Sequence, residues 1–312
     1  MALSGASKDR LKAALGRKFA ADEIDASLSL NTGNIYYVSS ATGVGADVQE
    51  RSGQSKDQPF ATLDYAIGRT TASQGDVIVL MPGHAETTTA IALDVAGVAI
   101  VGLGYGRNRP TLTATTAATD LINVTAANCQ IHNVRLVGAA SGVTALLDGS
   151  SAADDFQMYN CALGLAATPL NAITWSGQRP HIEGLQVRQT ANGNDYIVLF
   201  EAGVDGFIFK DWDVMAPNGI DNGLVGSGAF SHLGYTISNM RITGIDTLLL
   251  NFLSSSGLDG LVSNVAFAYS AAQTSVEDGV ASATSKGAVF DRVFASDVAS
   301  KIAARVPIVT AS

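Results

Sequence analysis

The feature that most limits what this chain can fold into is a break in strand parity that returns at a near-constant interval. In "QIHNVRLVG", residues 130 to 138, Ile131, Val134 and Leu136 are apolar while His132 and Arg135 are polar. A strand alternates its faces with a period of two, so Ile131 and Val134 cannot point the same way unless the backbone turns at Asn133. Segments of the same form recur as "AIVGLGY", "QMYNCAL", "HIEGLQV", "IFKDWDV", "TISNMRI", "LVSNVAF" and "VFDRVFA". Their breaking residues are Gly102, Asn133, Asn160, Gly184, Asp211, Asn239, Asn264 and Arg292, 24 to 31 residues apart. The period is near 27 residues, with the slack taken up by loops.

Two columns of this alignment settle which way the segments face. Two residues before the break stand Ile100, Ile131, Met158, Ile182, Phe209, Ile237, Val262 and Phe290. One residue after it stand Leu103, Val134, Cys161, Leu185, Trp212, Met240, Val265 and Val293. Every one is apolar, so the interior positions switch parity at each break and two strands meet there at a corner. Seven of the eight corner residues are Gly, Asn or Asp, the types that enter the left-handed backbone region at least cost. Asparagines stacked at one corner can also hydrogen-bond along the pile. Further strands complete each turn, for example "LINVTA" at 121–126, "YIVLFEA" at 196–202 and "TLLLNFL" at 247–253. The pattern predicts an all-β fold, a right-handed parallel β-helix of about 10 coils across residues 35–312.

Composition agrees with short strands and turns: 47% of residues are hydrophobic, only 15% are charged, and 32 are glycine. A net charge of −9 opposes a phosphate backbone, so no nucleic-acid partner is expected. The start "MALSGASKDR" leads into no apolar run, and no stretch reaches the ~18 apolar residues of a membrane helix. The expectation is a protein made and assembled in a cytosol, with no membrane partner. Cys129 and Cys161 read as buried thiols.

Residues 1–34 stand outside the repeat. Leu11, Leu15, Phe19, Ile24 and Leu28 mark an apolar stripe interrupted by Gly16, and "NTGN" at 31–34 reads as a hinge. This is a short N-terminal helical arm, either an extra cap on the coil or an anchor for a partner. At 60–71, Phe60, Leu63, Ala66 and Ile67 recur at helical spacing, which predicts a cap helix over the first open strand edge. Residues 296–312 are expected to close the other end.

"IYYVSSATGVGAD", "KDQPFATLDYAI" and "GDVIVLMPGHAE" together resemble the opening of the pectate-lyase-like parallel β-helix superfamily, and especially the β-helix virion proteins of tailed bacteriophages. The resemblance is good over residues 35 to about 140 and rests on the coil pattern beyond. It specifies the fold rather than an activity. For the enzymes it implies clustered aspartates holding calcium beside a basic Arg or Lys, or close carboxylate pairs. Glu183, Lys210, Asp213 and Arg241 fall on outward columns beside the corner, yet no acid repeats there, and a solvated face is the reading adopted. No catalytic residue, metal site or cofactor is assigned. His84, His132, His181 and His232 share no ligand spacing. "GLGYG" at 102–106 precedes no helical pattern, and Asp154 with Asp155 reads as a loop apex.

The resemblance implies a virion protein that decorates or stabilises the capsid. Its partners would be the major capsid protein or another virion protein, reached through Leu11, Leu15, Phe19, Ile24 and Leu28. It also implies a homotrimer. The alternative is a tailspike-like β-helix that binds or cleaves host polysaccharide, so a glycan partner stays open.

Overall fold

The computed structural model describes residues 33–115, 119–166, 171–190, 194–228, 230–245, 250–252, 258–269, 288–296 and 303–305. The arm residues Leu11, Leu15, Phe19, Ile24 and Leu28 lie outside them. Within them the chain is an all-β parallel solenoid. Three ladders of parallel strands run along it, one for each face of the coil.

The first ladder stacks ten strands, from Ile35–Val38 and Val77–Leu80 up to the leading parts of His232–Ile245, Leu258–Tyr269 and Ala288–Ser296. The second stacks nine, beginning at Ala85–Thr88. The third stacks seven, beginning at Ile91–Leu93 and ending at Leu250–Phe252 among the described residues. The sequence marks about ten rungs on the first face, but only about seven complete turns form. Of the ten rungs, the first lacks the other two faces because Ile35–Val38 is followed by the cap segment, and the last two, in Leu258–Tyr269 and Ala288–Ser296, have no third-face strand among the described residues.

Residues inside the coil line up from rung to rung. Ile78, Ile100, Ile131, Met158, Ile182, Phe209, Ile237 and Val262 form one such row, and each is fully buried or nearly so. Larger rings gather at 200–235, where Phe207 stacks on Tyr235 with centroids 4.7 Å apart and planes 3° from parallel. Phe209 lies against Trp212 at 4.7 Å, and the indole N–H of Trp212 donates to the Ile182 carbonyl at 2.9 Å. Buried indoles need such a partner for their one polar atom. Two rings are admitted by glycines on the adjacent coil: a Cβ on Gly149 would stand 2.2 Å from the Trp175 ring, and one on Gly260 2.4 Å from that of Tyr235.

The cap helix is shorter than the spacing predicts. It spans Leu63–Ile67 and buries Leu63, Ala66 and Ile67 over the first coil. Phe60 is drawn out of it by pairing with Val38, and Thr62 takes the N-cap position. Unpaired N–H groups at its start are met by carboxylates. Asp47 Oδ1 accepts from the Ala61 and Thr62 N–H groups at 2.7 and 3.2 Å, and buried Glu86 accepts from that of Leu63 at 2.9 Å. His84, equally buried, lies 3.0 Å from the same Glu86 oxygen. The pair reads as an anchor for the cap. At the far end, 303–305 runs antiparallel along 294–296.

Candidate functional site

At the corner between the first and second ladders, Asn133, Asn160, Asp211, Asn239, Asn264 and Arg292 have φ of 51 to 59°, and Gly184 has φ of 71°. Each rung's corner N–H faces the rung above: Asn133 donates to the Tyr159 carbonyl, Asn160 to Glu183 and Gly184 to Lys210, at 2.9 to 3.0 Å. Side chains add to this unevenly. Asn133 is buried and its amide donates to the carbonyls of Gly102 and Gly104 at 2.8 and 2.9 Å. Near the other end Asn264 donates to the Asn239 side-chain oxygen at 2.8 Å. Gly102 departs from the expectation of a left-handed corner. It closes a strand, and left-handed φ falls instead at Gly104, at 105°. Glycine is needed at 102 for a different reason: an added Cβ would stand 2.4 Å from the Asn133 carbonyl oxygen.

A second corner precedes the first ladder and escapes the sequence reading. Gly75, Gly97, Asn128, Asp155, Arg179, Gly206 and Gly234 all have positive φ, from 55 to 76°. From Asn128 to Gly234 each stands five residues before a first-corner residue. That fixed offset, filled by Gly, Asn or Asp in four of the five rungs and by Arg179 in the other, was the available signal. Asp155 and Arg179 occupy adjacent rungs of this corner and form a forked ion pair at 2.7 and 2.8 Å, while Asp154 accepts from the Gln178 N–H at 2.7 Å. Their carboxylates are thus committed to the turn.

Between the two corners the outward side chains of the first ladder form a continuous row. His132 lies 3.1 Å from the Gln130 amide oxygen and stacks on Tyr159, with centroids 5.1 Å apart. The Tyr159 hydroxyl donates to Gln157 at 3.1 Å and sits 3.3 Å from His181 Nδ1. His181 Nε2 is 3.3 Å from Glu183 without the alignment of a hydrogen bond. Lys210 Nζ donates to the other Glu183 oxygen at 3.1 Å and lies 3.8 Å from Asp211. Burial pushes the His132 imidazole down to about 4. Its hydrogen bond with Glu183, then its charge, holds the Lys210 ammonium above the usual lysine range.

Across the corner, the second ladder places Gln186, Asp213, Arg241, Ala266 and Phe294 in register. Asp213 is gripped from both sides, by Arg188 and by Arg241, the latter at 3.1 Å. Burial works to raise the Asp213 carboxyl, but the hydrogen bonds and charges of the two arginines outweigh it and hold it below the usual range. Arg188 was not singled out from sequence, because it lies two residues beyond the outward column of Gln186 beside the corner. Arg109 was also missed; it crosses the corner to bind Asn133 Oδ1 and the Asn160 carbonyl at 3.0 and 2.9 Å. Above Asp213 an open depression of about 370 Å³ is lined by Asp211, Asn239, Arg241, Asn264, Ala266 and Phe294.

The remaining candidates have structural places. His232 is buried between Ser227 and Val204. "GLGYG" passes from a strand end into a short 3-10 turn at Gly106–Asn108. Cys129 and Cys161 are buried free thiols, and burial pushes Cys161 up to about 11. Among the described residues no group of three His, Cys, Asp or Glu side chains is placed to hold a metal ion, and no helix is long and apolar enough to cross a membrane.

No protein-family model matches the chain, and no curated protein matches it. Solved structures do. A rhamnogalacturonan lyase matches with a TM-score of 0.53 and 14% identity, over 83% of this chain and 73% of the other. The pectate lyase Pel9A matches with a TM-score of 0.48 and 12% identity, over 90% and 82%. ORF18 of Geobacillus virus E2 matches with a TM-score of 0.38 and 10% identity, over 90% and 65%. At 14% identity the likeness to the rhamnogalacturonan lyase is one of architecture, the parallel β-helix.

Proposed function

We propose that this parallel β-helix is a structural protein of a bacteriophage particle, a decoration protein that stabilises the head, held to the major capsid protein by its first thirty residues. One observation carries the reading against a catalytic one. The central carboxylates of the outward corner face are held by cations: Glu183 by Lys210 at 3.1 Å, and Asp213 by Arg188 and Arg241, the latter at 3.1 Å. A carboxylate so neutralised is a poor general base and has little charge left for calcium. The same pairs suit a rigid surface. The phage assignment is supported by the resemblance over residues 35 to about 140, and the anchoring role by the apolar stripe of Leu11, Leu15, Phe19, Ile24 and Leu28.

The test is to add the purified chain, and a version starting at Asn34, to particles lacking the protein. The full chain should saturate positions on the head and the shortened one should fail to bind while melting like its parent. Equal occupancy by the two would refute the anchor, and density confined to the tail would refute the head assignment.

A second reading, binding or cleavage of host polysaccharide, is favoured by the depression above Asp213. There the Phe294 ring, 42% exposed, stands one rung beyond Ala266 and two beyond Arg241, beside the Asn239 and Asn264 amides. Rings and amides in this arrangement suit a sugar. Reducing-end release from capsular polysaccharide that is lost in Asp213→Ala would promote this reading to first place.

A further inference from the structure

The outward face of the last four described rungs of the first ladder changes character. Lower rungs present Gln130, Gln157 and His181 at the column that continues as Ile208, Thr236, Leu261 and Val289. Ile208, Leu261 and Val289 are 36, 41 and 46% exposed, an apolar row on a strand face that nothing described covers. The charges beside it are ordered along the axis. Lys210 and Asp211 stand on the first of these rungs, Asp291 and Arg292 on the last, and all four side chains are at least 40% exposed.

We infer that this face docks a second copy of the chain, with the two solenoids antiparallel about a twofold axis along the strand direction. Such an axis keeps each column opposite itself and reverses the order of rungs. Ile208 then meets the partner's Val289, and Thr236 meets the partner's Leu261. Lys210 meets the partner's Asp291, and Asp211 the partner's Arg292, each contact occurring twice by symmetry. Every apolar side chain finds an apolar or small neighbour and every charge its opposite. Copies aligned in parallel, as in a threefold bundle, leave Lys210 and Asp291 three rungs apart, about 14 Å along the axis. The face is four rungs tall, about 19 Å, and one short strand wide, less than the ~800 Å² per partner of a stable complex. Association is therefore reversible and depends on concentration.

The experiment is sedimentation equilibrium of the full chain over a wide concentration range, with circular dichroism to check each variant's fold. The parent should pass from one to two chain masses, the more readily at low salt. Leu261→Arg should stay monomeric with an unchanged spectrum. Lys210→Glu alone should weaken the dimer at least tenfold, by setting Glu against Asp291, and adding Asp291→Lys should restore it. A monomer throughout, a threefold mass, a dimer indifferent to Leu261→Arg, or a double variant no better than the single one would each overturn the inference.

Discussion

Lowering the pH should destabilise this protein through one side chain well before its carboxylates are protonated. His132 projects outward from its strand, yet Gln130 beside it and the Tyr159 ring above leave it only partly exposed. Burial disfavours the imidazolium and lowers the folded pKa to about 4, against ~6.5 in an unfolded chain. Between those values the unfolded state binds the proton and the folded state does not, so stability falls as pH falls. The loss begins near pH 6.5 and is complete near pH 4. At ~1.4 kcal/mol per unit it totals about 3 kcal/mol. The stacked Tyr159 ring works against this, since a cation over an aromatic face gains ~0.5–1 kcal/mol, and so sets about 2 kcal/mol as the lower bound. Urea unfolding of the parent and His132→Gln at intervals from pH 7.5 to 4, with the His132 ring followed by NMR, isolates the effect from the carboxylates. The difference in stability between the two proteins should be flat above pH 7 and change by 2 to 3 kcal/mol below it. A His132 titration midpoint near 6.5 in the folded protein, or a difference that stays flat to pH 4, would refute the reasoning.

Other substitutions separate the roles assigned above. Asn133→Val should cost about 1–3 kcal/mol, because it strains a left-handed residue and orphans two carbonyls; Asn133→Gly should cost less, and Asn239→Val, at an exposed corner, should fall between them in urea melts. Gly102→Ala should destabilise although its φ is not left-handed, since its Cβ would meet the Asn133 carbonyl at 2.4 Å, whereas Gly83→Ala has no such contact and only its φ of 78° against it. A loss for Gly83→Ala greater than for Gly102→Ala would show that backbone conformation, not close approach, governs these sites. Trp212→Ala should cost about 3–5 kcal/mol in the same assay, through the cavity left beside Phe209 and the unpaired Ile182 carbonyl.

The coil was legible in the sequence because its signal is local: the parity switch at Asn133 or Asn264 involves residues only three or four positions apart. What lay beyond reach depended on neighbours a full turn away. Gly102 carries the same letter as Gly184 but serves a contact with the next rung, and no local pattern distinguishes the two. The cap helix reads as twelve residues at 60–71 because Phe60 fits its spacing, while the pairing of Phe60 with Val38 that takes away its first residues joins positions 22 apart, and the helix closes early at Gly68. Glu183, Lys210, Asp213 and Arg241 were correctly placed on outward columns. Arg188, which completes the grip on Asp213, and Arg109, which crosses the corner, reach their partners through long side chains that no residue spacing encodes.

The five-residue interval between the two corners, held over the five rungs from Asn128–Asn133 to Gly234–Asn239 and set beside coil lengths that vary from 24 to 31 residues, says where this architecture can accept change over evolutionary time. One residue added or lost between Asn128 and Asn133 would turn a whole strand inside out, so that interval is closed to insertion. Segments after the second and third faces carry no such constraint, and whole loops can lengthen or be exchanged there without disturbing the stack. A surface under pressure to vary can do so at those edges while the rungs beneath stay in register.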